Sequence, residues 1–247
     1  MKLISVNAQC GTKYEALLEF LKENSPSTDI FCLQEVFHNA KKIRPVLKNV
    51  RPNLFGELEA VLTDFRGYFA PPQEDDVGGL AIFAKKDLEV SRVENIVIFP
   101  MIDVITDRSN PDFFTMGRDL QCLEFSKNGK TYSVLNFHGM WNLKGKVDTE
   151  KRLEQSEKIR KIFDELKGAK ILCADMNILP STKSLSILTE GNIDLIQKFG
   201  INSTRSASKQ RPEVVDYIIT SPEIEVLNFE VPLAEISDHL PLVLEFN

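Results

Sequence analysis

Short apolar runs bounded by polar clusters recur along the whole chain, the pattern left by buried β-strands. Strands are expected at 2–6, 30–34, 79–84, 94–99, 120–125, 132–137, 170–174, 214–220, 224–231 and 240–246. Two stretches keep a helical period instead. At 12–22, Leu17, Leu18 and Leu21 share one helix face. At 148–166, Leu153, Ile159, Ile162, Phe163 and Leu166 do the same, with Asp148 or Thr149 as N-cap and Gly168 near the end. A shorter helix is expected at 182–190, whereas 51–76 and 101–116 carry weak signals and are expected to include long surface loops. Helices are sparse between the later strands. That favours two packed mixed β-sheets flanked by helices, an α/β (α+β) four-layer sandwich, over one doubly wound sheet. No repeat, low-complexity tract or Pro/Gly-rich linker divides the 247 residues, so a single domain over 1–247 is expected.

Composition sets bounds on this picture. Hydrophobic residues make up 43% and charged residues 27%, ample material for a core. Thirty Lys and Arg against 36 Asp and Glu give a net charge of -6, which argues against charge-driven clamping of duplex nucleic acid but leaves room for a local basic groove. Of Cys10, Cys32, Cys122 and Cys173, three lie in apolar runs and none forms a CxxC pair, so buried free thiols in a reducing compartment are expected rather than a zinc site or disulfide frame. The opening MKLISVNAQ turns polar too soon for a signal peptide, and no apolar run is long enough to span a membrane. A cytoplasmic monomer is the expectation.

The position of the polar residues carries more information. Four apolar runs end in groups able to bind a metal or move a proton: LISV in Asn7, IFCLQ in Glu35, YSVLNF in His138, and KILCA in Asp175 with Asn177 two residues on. Two later runs begin with such groups, Asp216 before YIIT and Asp238–His239 before LPLVLEF. In antiparallel neighbours the end of one strand lies beside the start of the next, so all six groups can share one edge of a sandwich. Polar residues mark strand ends in any protein, which explains each position singly. The set, rich in carboxylates and holding two of only three histidines, is poorly explained that way.

Glu35, Asp175, Asp216 and Asp238 would repel one another if gathered alone, and a hard dication resolves the conflict. Oxygen donors with few His or Cys ligands favour Mg²⁺ or Mn²⁺ over zinc. Asn177 and His138 can then donate to nonbridging phosphate oxygens, and Asp216 can hold His239 in one tautomer. A phosphorus centre needs a positioned water, charge neutralisation and help for the leaving oxygen. This set supplies all three.

At these residues the sequence resembles the endonuclease/exonuclease/phosphatase superfamily, the fold of deoxyribonuclease I, exonuclease III-type abasic-site nucleases, neutral sphingomyelinases and inositol polyphosphate 5-phosphatases. SVNAQ, LQEV, NFHG, ADMN, VDYII and SDHLPL resemble that family's motifs and run in its order from Asn7 to His239. The resemblance implies a deoxyribonuclease I-like sandwich. It implies Glu35 as the main metal ligand with Asn7 close by, and Asp238 as a second-site or water-mediated ligand. Asp175 would orient or activate the attacking water or assist the leaving group. Asn177 would bind the scissile phosphate beside His138, and His239, oriented by Asp216, would act as general base or transition-state stabiliser. Ala174 and Met176 depart modestly from the GDFN pattern. Gln9 stands where abasic-site nucleases carry Asp, and the GDTN-like motif of the tyrosyl-DNA phosphodiesterase branch is missing, so both branches fit poorly.

Other residues are weighed individually. Trp141 and Asn142 follow His138 and can border a substrate cleft, since aromatic rings stack on bases or sugars. Gly117–Arg118 opens a strand; relatives can send a basic group towards phosphate there, although a solvated arginine is expected. His38 reads as a surface-loop histidine, Lys144 and Lys146 as a small positive rim, and Glu74, Asp75 and Asp76 as a solvated loop from which one acid could partner His138. The expected activity is therefore divalent-metal-dependent hydrolysis of phosphate esters, with phosphodiesters, DNA or RNA first, as substrates. The alternatives are a phosphomonoesterase or lipid phosphodiesterase, inositol phosphatase-like or sphingomyelinase-like. A non-enzymatic binding module is disfavoured because a scaffold has no need to cluster charged groups.

Overall fold

The computed structural model describes residues 1–44, 47–207 and 212–247. The chain runs β1 (Lys2–Asn7), α1 (Tyr14–Asn24), β2 (Ile30–Val36), α2 (Leu54–Val61), β3 (Phe65–Ala70), β4 (Gly79–Lys85), β5 (Glu89–Phe99), β6 (Arg118–Lys127), β7 (Lys130–His138), α3 (Glu150–Glu165), β8 (Ala169–Asp175), α4 (Lys183–Thr189), β9 (Ile193–Asp194), α5 (Leu195–Lys198), β10 (Asp216–Thr220), β11 (Val226–Glu230) and β12 (Leu242–Phe246). Two six-stranded mixed sheets form, in the orders β11-β12-β1-β2-β4-β3 and β5-β6-β7-β8-β10-β9. The two packed sheets with flanking helices are those expected from the hydrophobic pattern.

Each sheet is built around one parallel pair, β1 with β2 and β7 with β8, and its remaining contacts are antiparallel. A parallel pair needs a long crossover, and α1 and α3 supply the helices of those crossovers. Their apolar stripes turn inward as the sequence predicts: Leu17 and Leu21 of α1 and Ile159 and Phe163 of α3 are buried. The central strands β1, β2, β7 and β8 read as almost unbroken apolar runs because both of their faces are covered. One continuous core lies between the sheets, from Leu3, Ile30 and Ile82 to Leu120, Leu135 and Leu172. A second packs α1 and α2 on the outside of the first sheet. All four cysteines are buried and free. No helix among the described residues is long and apolar enough to cross a membrane.

The weak signal at 51–76 conceals two elements as well as loop. That stretch holds α2 and β3, whose buried Leu54, Phe55, Leu58 and Phe65 pack in the outer core. Eight residues interrupted by Gly56 are too short to set up a helical period on their own. By contrast, 101–116 is irregular apart from one 3₁₀ turn at Met101–Asp103. Thr149 is the N-cap of α3, accepting from Arg152 N. Asp148 serves a different helix: its carboxylate accepts from the Lys183 and Ser184 backbone N–H groups at 2.8 and 2.9 Å, tying the start of α4 to the segment before α3.

At the β1 and β2 starting end, Asp29 binds the sheets together. Its carboxylate accepts from Lys2 N at 2.8 Å and from Lys127 Nζ, at the end of β6 in the other sheet, at 2.9 Å. Burial opposes ionisation, but the lysine and the backbone N–H outweigh it and hold the Asp29 carboxyl below its ordinary value. A depressed pKa contributes stability above the unfolded value and loses it as pH falls through the folded one. Asp29→Asn is expected to cost about 1 kcal/mol at pH 7. Thermal unfolding of wild type and variant from neutral pH downward checks this: the two curves should converge in acid, and a gap that persists below the wild-type carboxyl pKa contradicts it.

Candidate active site

The parallel pairs place their C-terminal ends at one rim. In the first sheet Asn7 lies beside Gln34, and in the second His138 lies beside Asp175, which in turn faces Asp216 across the antiparallel β8–β10 ladder. Beneath the rim, buried amides lock the two sheets in register. Gln34 Nε2 donates to Asn136 Oδ1 at 2.7 Å, and Asn136 Nδ2 donates to the carbonyls of Leu33 and Ala81 at 3.0 and 3.2 Å.

Glu35 leaves the strand alternation altogether. It sits where the β2–β4 register shifts between Gln34 and Val36, with φ at 54°. Such left-handed backbone at a bulge re-aims a side chain and is strained for a non-glycine residue. Gly78 makes room for it: a Cβ there would come 2.6 Å from the Glu35 carbonyl carbon. The re-aimed Glu35 carboxylate meets the groups of the second sheet. Asn7 Nδ2 donates to Glu35 Oε1 at 3.1 Å and to Asp175 Oδ2 at 3.0 Å. His138 Nε2 lies 3.7 Å from each of the same two oxygens.

A dyad completes the rim. His239 Nδ1 lies 2.9 Å from both oxygens of Asp216, and Thr204 Oγ1 donates to Asp216 Oδ2 at 2.6 Å. The other ring nitrogen, Nε2, is 3.6 Å from Asp175 Oδ2. Burial alone would disfavour the imidazolium, but Asp216 and Asp175 outweigh it and raise His239 to about 9. For His138 burial wins over Glu35, and its pKa falls to about 4. Near neutrality one imidazole is thus charged and the other neutral. Burial also raises the Asp216 carboxyl, against the pull of His239.

Asn177 has φ at 53° and donates its backbone N–H to Asp175 Oδ1 at 3.1 Å, while its carboxamide has no protein partner among the described residues. Arg118, expected to be solvated, is instead buried, and lines the same cavity as Glu35 and His138. Two of the expected residues already have polar partners. Asn142 spends its amide on the Pro111 and Phe113 carbonyls and its oxygen on Lys144 N, so it shapes its loop. Trp141 is 46% exposed on that loop. Asp238 is ion-paired with Arg205. Asn7, too, turns its amide nitrogen to the carboxylates and its oxygen to Gln9 N, bracing the acids instead of presenting an oxygen between them. Glu74 and Asp76 pair with Arg44, Lys146 pairs with Glu213, and His38 packs its exposed ring on Phe55 and Phe69.

Sequence reasoning missed Arg205, whose guanidinium contacts both His239 Nε2 and Asp238, and Thr204, which orients Asp216. Both lie in a polar stretch without periodicity. The missed Gly78 had a trace in the sequence, a glycine doublet opening a strand. Arg152 was missed because it occupies a helix: wholly buried, it donates to the carbonyls of Met140, Gly145 and Val147 and fixes the loop after His138.

Asp175, Asp216 and His239 offer three buried donor atoms within 4.8 Å of one another, a group that could hold a metal ion. Asp216 gives both oxygens to His239, so this trio reads first as a dyad with Asp175 beside it. The donor chemistry of the wider rim fits a hard dication: Glu35 and Asp175 converge on one amide nitrogen and one neutral imidazole.

The model of the endonuclease/exonuclease/phosphatase family matches residues 4–239. The chain belongs to that family. No curated protein sequence matches it significantly. Solved structures of the family's fold resemble it closely in shape and weakly in sequence. A mannosyl-6-phosphatase from Bacteroides thetaiotaomicron superposes with a TM-score of 0.74 at 16% identity, covering 100% of this chain and 99% of that one. D. rerio TDP2 in complex with a single-strand DNA product gives 0.72 at 16%, covering 100% and 98%. ANGEL2, a 2',3'-cyclic phosphatase in complex with adenosine-2',3'-vanadate, gives 0.70 at 16%, covering 99% and 94%. At this identity the likeness shows the shared fold, the deoxyribonuclease I-like sandwich implied by the motifs.

Within this family fold the seat of Glu35 is testable. Gly78→Ala must displace the Glu35 backbone, at a cost of about 1–3 kcal/mol. A lowered melting temperature together with a lowered rate on any phosphoester the protein cleaves is expected; an unchanged melting temperature would show that the bulge does not need this glycine.

Proposed function

We propose that this chain is a divalent-metal-dependent hydrolase of phosphate esters, a phosphodiesterase before a phosphomonoesterase, with DNA or RNA as the first substrate class and Mg²⁺ (or Mn²⁺) as its ion. The observation that carries this reading is the meeting of Glu35 and Asp175, from different sheets, on one amide and one imidazole, with a His239–Asp216 dyad alongside. Glu35, the most open of these acids, would lead in holding the ion, with Asn7 bracing it and Asp238 reaching a water-mediated or second site only by leaving Arg205. When bound, the ion neutralises the crowded carboxylates and polarises a phosphoryl oxygen.

The remaining steps belong to the side chains. Asp175, fixed by Asn7 and Asn177, accepts the proton of the attacking water. His239, with Nδ1 held by Asp216, donates from Nε2 to the oxygen on which negative charge develops once Arg205 has moved off that nitrogen. His138, neutral, and the Asn177 carboxamide donate to nonbridging phosphate oxygens, and Arg118 adds positive charge from behind. Trp141 offers a half-open ring at the rim for a base or sugar. Asn142 acts only through the loop it shapes. We treat residues 1–247 as one catalytic domain because the site draws on both sheets and they share a core.

A phosphomonoesterase or lipid phosphodiesterase would use the same groups, and the mannosyl-6-phosphatase and 2',3'-cyclic phosphatase among the structural neighbours keep those substrates in the test panel. A binding module has no use for two carboxylates from different sheets crowded on one amide and one imidazole with a His–Asp dyad alongside.

The direct test is incubation with Mg²⁺ and bis-p-nitrophenyl phosphate, plasmid, single-stranded DNA and RNA, with p-nitrophenyl phosphate and a sugar phosphate as the monoesters. Turnover of a diester that stops with chelator and returns with Mg²⁺ is expected; turnover of monoesters alone discards the phosphodiesterase reading. Asp175→Asn is expected to lower kcat by about 10²–10⁴, with a melting temperature within a few degrees of wild type. A large drop in melting temperature would instead make Asp175 structural.

A further inference from the structure

A cavity of about 170 Å³ opens directly beside the rim, sharing Glu35 and His138 with it. Its walls include Pro71, Pro72, Val77 and Met116, and its polar lining includes Arg44, Gln73, Glu74, Arg118 and Asp119. At liquid density about 30 Å³ holds one water, so the space suits a single ring or short chain attached to a phosphate at Glu35, and no more.

The polar lining is incompletely satisfied. Arg118 is 95% buried by its 5% exposure, and although Nη1 donates to the Gly117 carbonyl, its Nε has no partner. Glu74 gives Oε2 to Arg44 at 2.6 Å, while its buried Oε1 has no partner. The two groups lie near enough for each to perturb the other's ionisation, yet no hydrogen bond joins them. Arg118 and Glu74 both line the cavity with hydrogen-bonding capacity left unspent, which suits a group that can both accept and donate. A second phosphate would meet three acids, Glu35, Glu74 and Asp119, against two arginines, Arg44 and Arg118, and is disfavoured on charge. A nucleobase edge could match the pair, but no Phe, Tyr or Trp lines the cavity among the described residues, and base binding rests on stacking. A hydroxyl meets both demands without a stacking surface.

We propose that this cavity is a specificity pocket for a hydroxyl-bearing ester substituent, whose hydroxyl accepts from Arg118 and donates to Glu74 while the phosphate lies at Glu35 and His138. The inference rests on the phosphoester reading and narrows it. The chemistry is shared by the ribose 2'-hydroxyl of RNA and by small sugar or polyol esters. Two matched pairs separate these sources: single-stranded RNA against DNA of the same sequence, and a methyl hexosyl phosphodiester against its methyl cyclohexyl counterpart. In Mg²⁺, the hydroxylated member of one pair should have the higher kcat/KM by at least about tenfold. Glu74→Gln, which removes the anionic acceptor, and Met116→Trp, which fills the cavity without touching either polar group, should both drive that ratio towards one. Ratios near one in the wild type, with bis-p-nitrophenyl phosphate still cleaved, overturn the pocket and leave the hydrolase standing. A preference that survives both variants places hydroxyl selection elsewhere and also overturns it. Failure to cleave any ester, the aryl diester included, overturns both readings together.

Discussion

Two primary amides hold the arrangement together. Gln34 and Asn136 face each other in the dry space between the sheets, and Asn136 also donates to two backbone carbonyls of the opposite sheet. Apolar layers can slide by a residue at modest cost, but buried amides cannot slide without losing partners. The pair therefore fixes the register of one sheet over the other. Everything above it follows: Asn7 and Glu35 from the first sheet reach His138 and Asp175 from the second only in that register.

The rim then carries an electrostatic problem that the fold only partly solves. Asn7 braces two carboxylates with a neutral donor, Arg205 takes up Asp238, and His239 offsets Asp216. Glu35 and Asp175 remain facing a His138 that burial keeps uncharged. Positive charge is thus provided at the dyad side and withheld at the Glu35 side, an asymmetry that the proposed dication would offset.

Much of this was legible from residue order. The two-sheet architecture followed from apolar runs with few late helices, and the site from polar groups at the ends of those runs. The resemblance to the family's motifs then put Asn7, Glu35, His138, Asp175, Asp216 and His239 together, and the coordinates bring all six to one rim. What could not be read has a common cause. The bulge at Glu35 depends on a glycine more than forty residues away in sequence, Arg205 lies in an aperiodic segment, and α2 is too short and too interrupted to announce its period. Asn142 and Asp238 look like site residues by position, but their partners, Pro111, Phe113 and Arg205, come from segments with no pattern to predict them. Arg118 was misplaced because side-chain burial at a strand's first residue depends on what lies across from it.

The anchoring of the segment that follows β7 bears on how material enters and leaves. Arg152 clasps three of its carbonyls from inside the molecule, and Asn142 pins it to the 107–113 turn. A stretch fastened at that many points has no hinge about which to swing, so Trp141 stands on a fixed threshold and not on a flap. If the rim hydrolyses phosphate esters as proposed, a substrate arriving on this side meets a pinned sill and not a segment that must first swing open.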